Sequence, residues 1–218
     1  MMSAYDKNYL EKARTTLGRM LDFAVYDLKL DLKDFFDRFI VSGIANDFEN
    51  GDSKTIAGKS GVELAYEVME KTGENLRNIK PRYTVNRSEE YWTGWALAYY
   101  QWKTAISFSK IVEYIPINEI KALYSPYHEM DIRHFVDKMN ELYLNAKPET
   151  NLKIYRKRAG LSQKELAEQA DIPVRMIQHY EQRQKNINKA QVEYLARLSR
   201  VLNCNIEELL ELVEVENI

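Results

Sequence analysis

Apolar residues recur at steps of three and four along almost the whole chain, a period that suits helices and little else. From Tyr9 onward, Leu10, Ala13, Leu17, Met20, Leu21, Ala24 and Leu28 mark one buried helical stripe. Leu32, Phe35, Phe36, Phe39 and Ile40 make the inner face of a second helix, with Gly43 near its end. Residues 46–61 are polar, contain Gly51, Gly58 and Gly61, and read as a loop. A helix over 62–71 follows, with Ser60 as its cap and Gly73 as its stop. Residues 74–87 contain Pro81-Arg82-Tyr83-Thr84-Val85, the one stretch suited to an extended strand. From Ser88 to Tyr114 the pattern predicts one long helix. Glu89 and Glu90 suit its N-terminus, although Tyr91 stands where a capping box would place Glu. Pro116 ends that helix, and two shorter ones are expected over 117–123 and 129–143. The class is all-α.

The long helix concentrates aromatic residues. Trp92, Trp95, Tyr99, Trp102 and Ile106 are spaced by three and four and form a single stripe. Such a stripe suits a central core helix. It also suits an anchor for another protein, because Trp and Tyr dominate binding hot spots, and Trp92, Trp95, Tyr99 and Trp102 are the candidates. Residues 146–150, Ala-Lys-Pro-Glu-Thr, are polar and break all periodicity, so the expected domains are 1–147 and 148–218.

At 218 residues and 45% hydrophobic content the chain can bury a core, and its low Gly and Pro content excludes collagen-like and disordered classes. No apolar run reaches the ~18–20 residues of a membrane helix, and residues 1–7 show no apolar targeting segment. Cys204 is the single cysteine, so neither a disulfide framework nor a multi-cysteine zinc site is expected. A cytoplasmic protein of a reducing compartment is the expectation, with no cofactor and no metal. His128 and His134 are six residues apart, roughly 240° around a helix, and do not share a face. Gly58-Lys59-Ser60 lacks the upstream glycine of a phosphate loop, and no nucleophile elbow is present, so no enzyme is expected.

The net charge of −2 hides an uneven distribution: residues 151–200 carry eleven Lys/Arg against five Asp/Glu, and residues 201–218 carry five Glu and no base. Five helical patterns fill this region. Leu152–Arg158 is closed by Gly160, and Ser162-Gln163-Lys164-Glu165 forms a capping box for the second. That helix stops near Ala170-Asp171, and Pro173 opens the third, whose buried side is Ile172, Ile177 and Tyr180. So short a connection forces a sharp angle between the pair, the geometry of a helix-turn-helix.

Leu161-Ser162-Gln163-Lys164-Glu165-Leu166-Ala167, Ile172-Pro173-Val174-Arg175-Met176-Ile177-Gln178-His179-Tyr180-Glu181, Leu195-Ala196-Arg197-Leu198 and Asn205-Ile206-Glu207-Glu208-Leu209-Leu210 together resemble the lambda-repressor/Cro-like (XRE-type) helix-turn-helix family. About sixty residues carry the resemblance. It departs from the family at Asp171, where a turn glycine is usual, and at Gln182-Arg183-Gln184, which replaces the common Glu-x-Gly turn. The resemblance implies a five-helix DNA-binding domain whose third helix enters the major groove. Val174, Arg175, Gln178 and His179 would then meet base edges. Gln163 matches the family's phosphate-clamping glutamine, and Arg183 and Lys185 are placed for phosphates. Arg156 and Glu181 match an internal ion pair.

The function this implies is a sequence-specific transcriptional regulator, a repressor in the first instance, binding double-stranded DNA as a homodimer. The alternative is an antitoxin, whose N-terminal domain binds a toxin while the C-terminal domain autoregulates the operon. In the tail, Val213 and Val215 alternate with Glu214 and Glu216, which allows a short edge strand.

Overall fold

The computed structural model describes residues 3–74, 79–82, 86–146 and 149–211. The chain divides into two compact units, Met2–Ala146 and Lys147–Ile218. Among the described residues the ordered elements are helices, and no strand forms. Tyr83 to Val85 of the strand-like stretch, and the alternating tail, lie outside the described residues.

In the first unit, α1 (Leu10–Tyr26) is the central element. It is followed by α2 (Leu32–Val41), α3 (Ile44–Glu49), α4 (Ser53–Ile56), α5 (Gly61–Lys71) and α6 (Glu89–Thr104). The unit closes with α7 (Phe108–Tyr114), α8 (Ile117–Ala122), α9 (Tyr124–Tyr127) and α10 (Ile132–Ala146). Helices α1 and α6 cross at Gly18 and Gly94. A Cβ built on Gly94 would stand 2.6 Å from the Leu17 carbonyl oxygen and 2.8 Å from Gly18 Cα, so the two backbones touch with no side chain between them. A second focus is a cluster of Phe36, Phe39, Phe48 and Phe108, all fully buried, with ring centroids 5.6–6.3 Å apart and mostly edge-on.

Three expectations are corrected here. Residues 46–61 are not a plain loop: Ile44 and Phe48, one turn apart and both buried, pull α3 onto the core, and the Asp52 carboxylate accepts from the Thr55 amide to start α4. The long helix from Ser88 is broken in two. Ala105 takes a left-handed φ of 53°, and Ser107 then caps α7 by accepting from the Lys110 amide. The break lets Phe108 enter the phenylalanine cluster while its amide donates to the Glu49 carboxylate at 2.8 Å. Packing overrides the helical period at that point, and Ile106 falls outside the stripe. The segment expected over 117–123 also continues as a further short helix, α9, and α10 starts at Ile132, where Asp131 accepts from the Arg133 amide.

Helix α6 is buried on most of its circumference, so its aromatics divide. Trp92 is a core residue, edge-on to Tyr124 and Phe135 at 5.6 and 5.2 Å, and does not form an exposed anchor. Trp95, Tyr99 and Trp102 are half-buried. The Arg14 guanidinium lies 3.3 Å over the Trp95 ring, and Trp102 Nε1 donates to the Tyr5 carbonyl at 2.8 Å.

The second unit contains α11 (Asn151–Arg158), α12 (Gln163–Ala170), α13 (Val174–Glu181), α14 (Val192–Leu202) and α15 (Ile206–Leu209). Each start and stop has a local cause. Thr150 accepts from the Lys153 amide, and Gly160 leaves α11 with a φ of 69°. Ser162 and Glu165 form the full capping box of α12. Pro173 is the N-cap of α13 rather than its first helical residue. Leu152, Leu166, Ile172, Ile177, Leu195, Leu198, Leu202 and Leu209 form one core with Tyr180.

Candidate nucleic-acid interface

The stretch from α12 through the turn to α13 carries the residues that the sequence singles out. The two helices meet at Asp171, whose φ of 51° and ψ of 52° are left-handed. A non-glycine residue there costs roughly 1 kcal/mol. Arg197 of α14 offsets that cost: its Nη1 lies 2.8 Å from both the Asp171 carbonyl and the carboxylate Oδ2. Sequence reasoning missed this clamp, because no spacing rule links a turn aspartate to a base on the next helix but one. The loop after α13 shows the same economy: Arg183 is left-handed, with a φ of 54°, and its amide donates to the Tyr180 carbonyl.

Helix α13 has two unlike sides. Ile177 and Tyr180 are buried, and Ile172 just before the helix is buried with them. On the opposite side Val174 is 40% exposed and Arg175 is exposed, while Gln178 and His179 are half-buried. Val174 and Gln178 are one turn apart, as are Arg175 and His179, so the four make a contiguous patch along the helix. His179 Nδ1 is buried and lacks a hydrogen-bond partner.

Beneath that patch is a buried ion pair. Arg156 Nε and Nη2 donate to the two Glu181 carboxylate oxygens at 2.6 and 2.9 Å, the bidentate geometry that best suits guanidinium and carboxylate. Arg156 Nη1 also donates to the Leu161 carbonyl at 2.7 Å, and Gln163 Nε2 donates to Glu181 Oε2 at 2.8 Å. Three helices, α11, α12 and α13, are thus joined through one carboxylate. The Glu181 bonds hold the Arg156 guanidinium above its ordinary pKa. The Gln163 amide nitrogen carries a second N–H beyond the one given to Glu181, next to the free amides of the α12 N-terminus. Glu165 gives its carboxylate to the Ser162 amide and hydroxyl, and these bonds hold it below the usual glutamate range.

Past α13, Gln182 to Asn186 are exposed. Lys185 Nζ lies 3.5 Å from the Met176 sulfur, beside a recess of about 460 Å³ also lined by Tyr180, Asn186, Lys189 and Tyr194. That recess adjoins α13 and offers ammonium and amide donors. Burial pushes the Cys204 thiol up from its ordinary pKa, and the side chain packs against the core of the unit, which suits a packing residue. Among the described residues no group of three or more His, Cys, Asp or Glu could hold a metal ion, and none of the helices is long and apolar enough to cross a membrane.

Residues 152–209 match a family model described as Helix-turn-helix. The chain matches no curated protein and no solved structure. The matched segment runs from the start of α11 to the end of α15, and the second unit is accordingly an XRE-type helix-turn-helix DNA-binding domain.

Proposed function

We propose that the chain is a sequence-specific transcriptional regulator, a repressor that binds operator DNA as a dimer and reads it with the exposed side of α13. The single observation that carries this reading is the division of α13, with Val174, Arg175 and Gln178 turned out over a buried Ile177 and Tyr180. Those side chains have the chemistry of direct readout. Arg175 suits the two acceptors of guanine, Gln178 the donor and acceptor of adenine, and Val174 a thymine methyl. Gln163, Arg183 and Lys185 flank the patch at positions suited to phosphates on either side. The Arg156–Glu181–Gln163 network supports the reading as well, because it fixes the angle at which α13 is presented.

A single domain of this size buries too little surface for specific affinity, so two copies on half-sites about one DNA turn apart are expected. The unit Met2–Ala146 would join the copies or sense a signal. The antitoxin reading is favoured by one observation, the half-buried strip of Trp95, Tyr99 and Trp102, which has the composition of a protein-docking surface. Copurification with one stoichiometric small protein would select that reading.

The test is selection of bound duplexes from a random pool, followed by gel-shift titration of the selected site. Arg175→Ala should lose about 1–3 kcal/mol of affinity and relax preference at one base position. Unchanged titration curves would overturn the proposed docking.

A further inference from the structure

The unit Met2–Ala146 holds a cavity of about 630 Å³, within the size range of small-molecule sites. Asp22, Tyr26, Asp27, Arg82, Arg87 and Ser88 line it. Charged side chains of α1 and its C-cap hold the main chain of one lining residue, Arg82, in place. Arg19 Nη2 donates to the Arg82 carbonyl at 2.8 Å, and Asp27 Oδ1 accepts from the Arg82 amide at 3.0 Å. Asp22 braces the arrangement, pairing with Arg19 and accepting from the Ser88 hydroxyl at 2.6 Å. Both polar groups of the Arg82 backbone are therefore used, while the residue itself is exposed. The Arg87 guanidinium is held 4.3 Å over the Tyr91 ring.

One atom in this network is left over. Asp27 Oδ2 accepts no hydrogen bond, although its side chain is 2% exposed, and its nearest cation, Arg19 Nη2, stands 3.7 Å away. A buried carboxylate oxygen without a donor is costly, and a site that keeps one has an open position for a donor. The cavity thus brings an unmatched buried acceptor together with two lining arginines, Arg82 and Arg87. A diamine would satisfy the acceptor and meet repulsion from the arginines, and a simple anion would do the reverse. A ligand with both charges matches both.

We propose that this cavity binds a zwitterionic α-amino acid. Its ammonium group donates to Asp27 Oδ2, its carboxylate is taken by Arg82 and Arg87, and its side chain lies against Tyr26, which is 46% exposed. The site belongs to the first unit and does not depend on the DNA-binding reading.

The test is calorimetric titration of the full chain with each standard amino acid. The tightest binder is then compared with its decarboxylated amine and its deaminated acid. One-site binding of at least one amino acid is expected, with both truncated probes at least tenfold weaker. Asp27→Asn keeps an oxygen for the Arg82 amide, so the fold should survive; the variant should bind the amino acid at least tenfold more weakly and the deaminated acid as the parent does. Arg82→Gln leaves its main-chain bonds untouched and should weaken the amino acid while sparing the amine. The proposal is overturned if no amino acid binds with a Kd below about 10 mM. It is equally overturned if either truncated probe binds as tightly as the amino acid, or if both variants, with far-UV spectra like the parent's, keep its affinity.

Discussion

Replacing Arg156 by Met should uncouple the DNA-binding unit from its own fold while leaving the other unit intact. Glu181 is the reason: its side chain is 2% exposed, and Arg156 supplies two of the three hydrogen bonds its carboxylate accepts. The substitution strands a buried charge and frees the Leu161 carbonyl, a loss of about 3–5 kcal/mol. A unit of this length has roughly 4–10 kcal/mol in total. With a urea slope of about 1.5 kcal/mol/M the midpoint should fall by about 2–3 M. The two units can be followed separately, because the three tryptophans, Trp92, Trp95 and Trp102, all lie in α6. Tryptophan fluorescence therefore reports the first unit, and the early loss of far-UV signal reports the second. The early transition should move and the fluorescence transition should not. The double variant Arg156→Met with Glu181→Leu removes both charges and should recover most of the loss. If the double variant is as unstable as the single one, the stranded carboxylate is not the cause and the reasoning fails.

Other perturbations separate the remaining contributions. Gly94→Ala forces a methyl group against the Leu17 carbonyl and should lower the fluorescence transition by about 1–3 kcal/mol, with the second unit unaffected. Ser162→Ala should cost the helix-turn-helix unit about 1 kcal/mol through loss of the α12 cap. Glu165 is held below the ordinary glutamate pKa in the folded chain, so its contribution is full above the unfolded value and lost as pH falls through the lowered folded value. Glu165→Gln should accordingly flatten the acid limb of a stability–pH curve for the second unit. Lys185→Ala should weaken all duplexes alike and reduce the salt slope of binding by about one, measured by titration across ionic strengths.

What the chain states openly are its helices and their ends. The stripe from Leu10 to Ala24, the Ser60 and Ser162 caps, and the motif from Leu161 to Leu210 are all local patterns, and local patterns survive in one dimension. They were enough to assign an all-α class and to identify the helix-turn-helix. The broken helix at Ala105 and the short helices within residues 46–61 were not legible. The break and the seating of α3 follow from the burial of phenylalanines 36, 39, 48 and 108 against one another, and that cluster exists only after distant segments meet. The roles of Arg197 at the Asp171 turn and of Asp27 beside Arg82 were hidden for the same reason. Sequence alone determined which residues can form helices and which surface of α13 is polar. Tertiary structure decided which helices stop early and which charges are buried in pairs, because desolvation and close packing act between residues far apart in the chain.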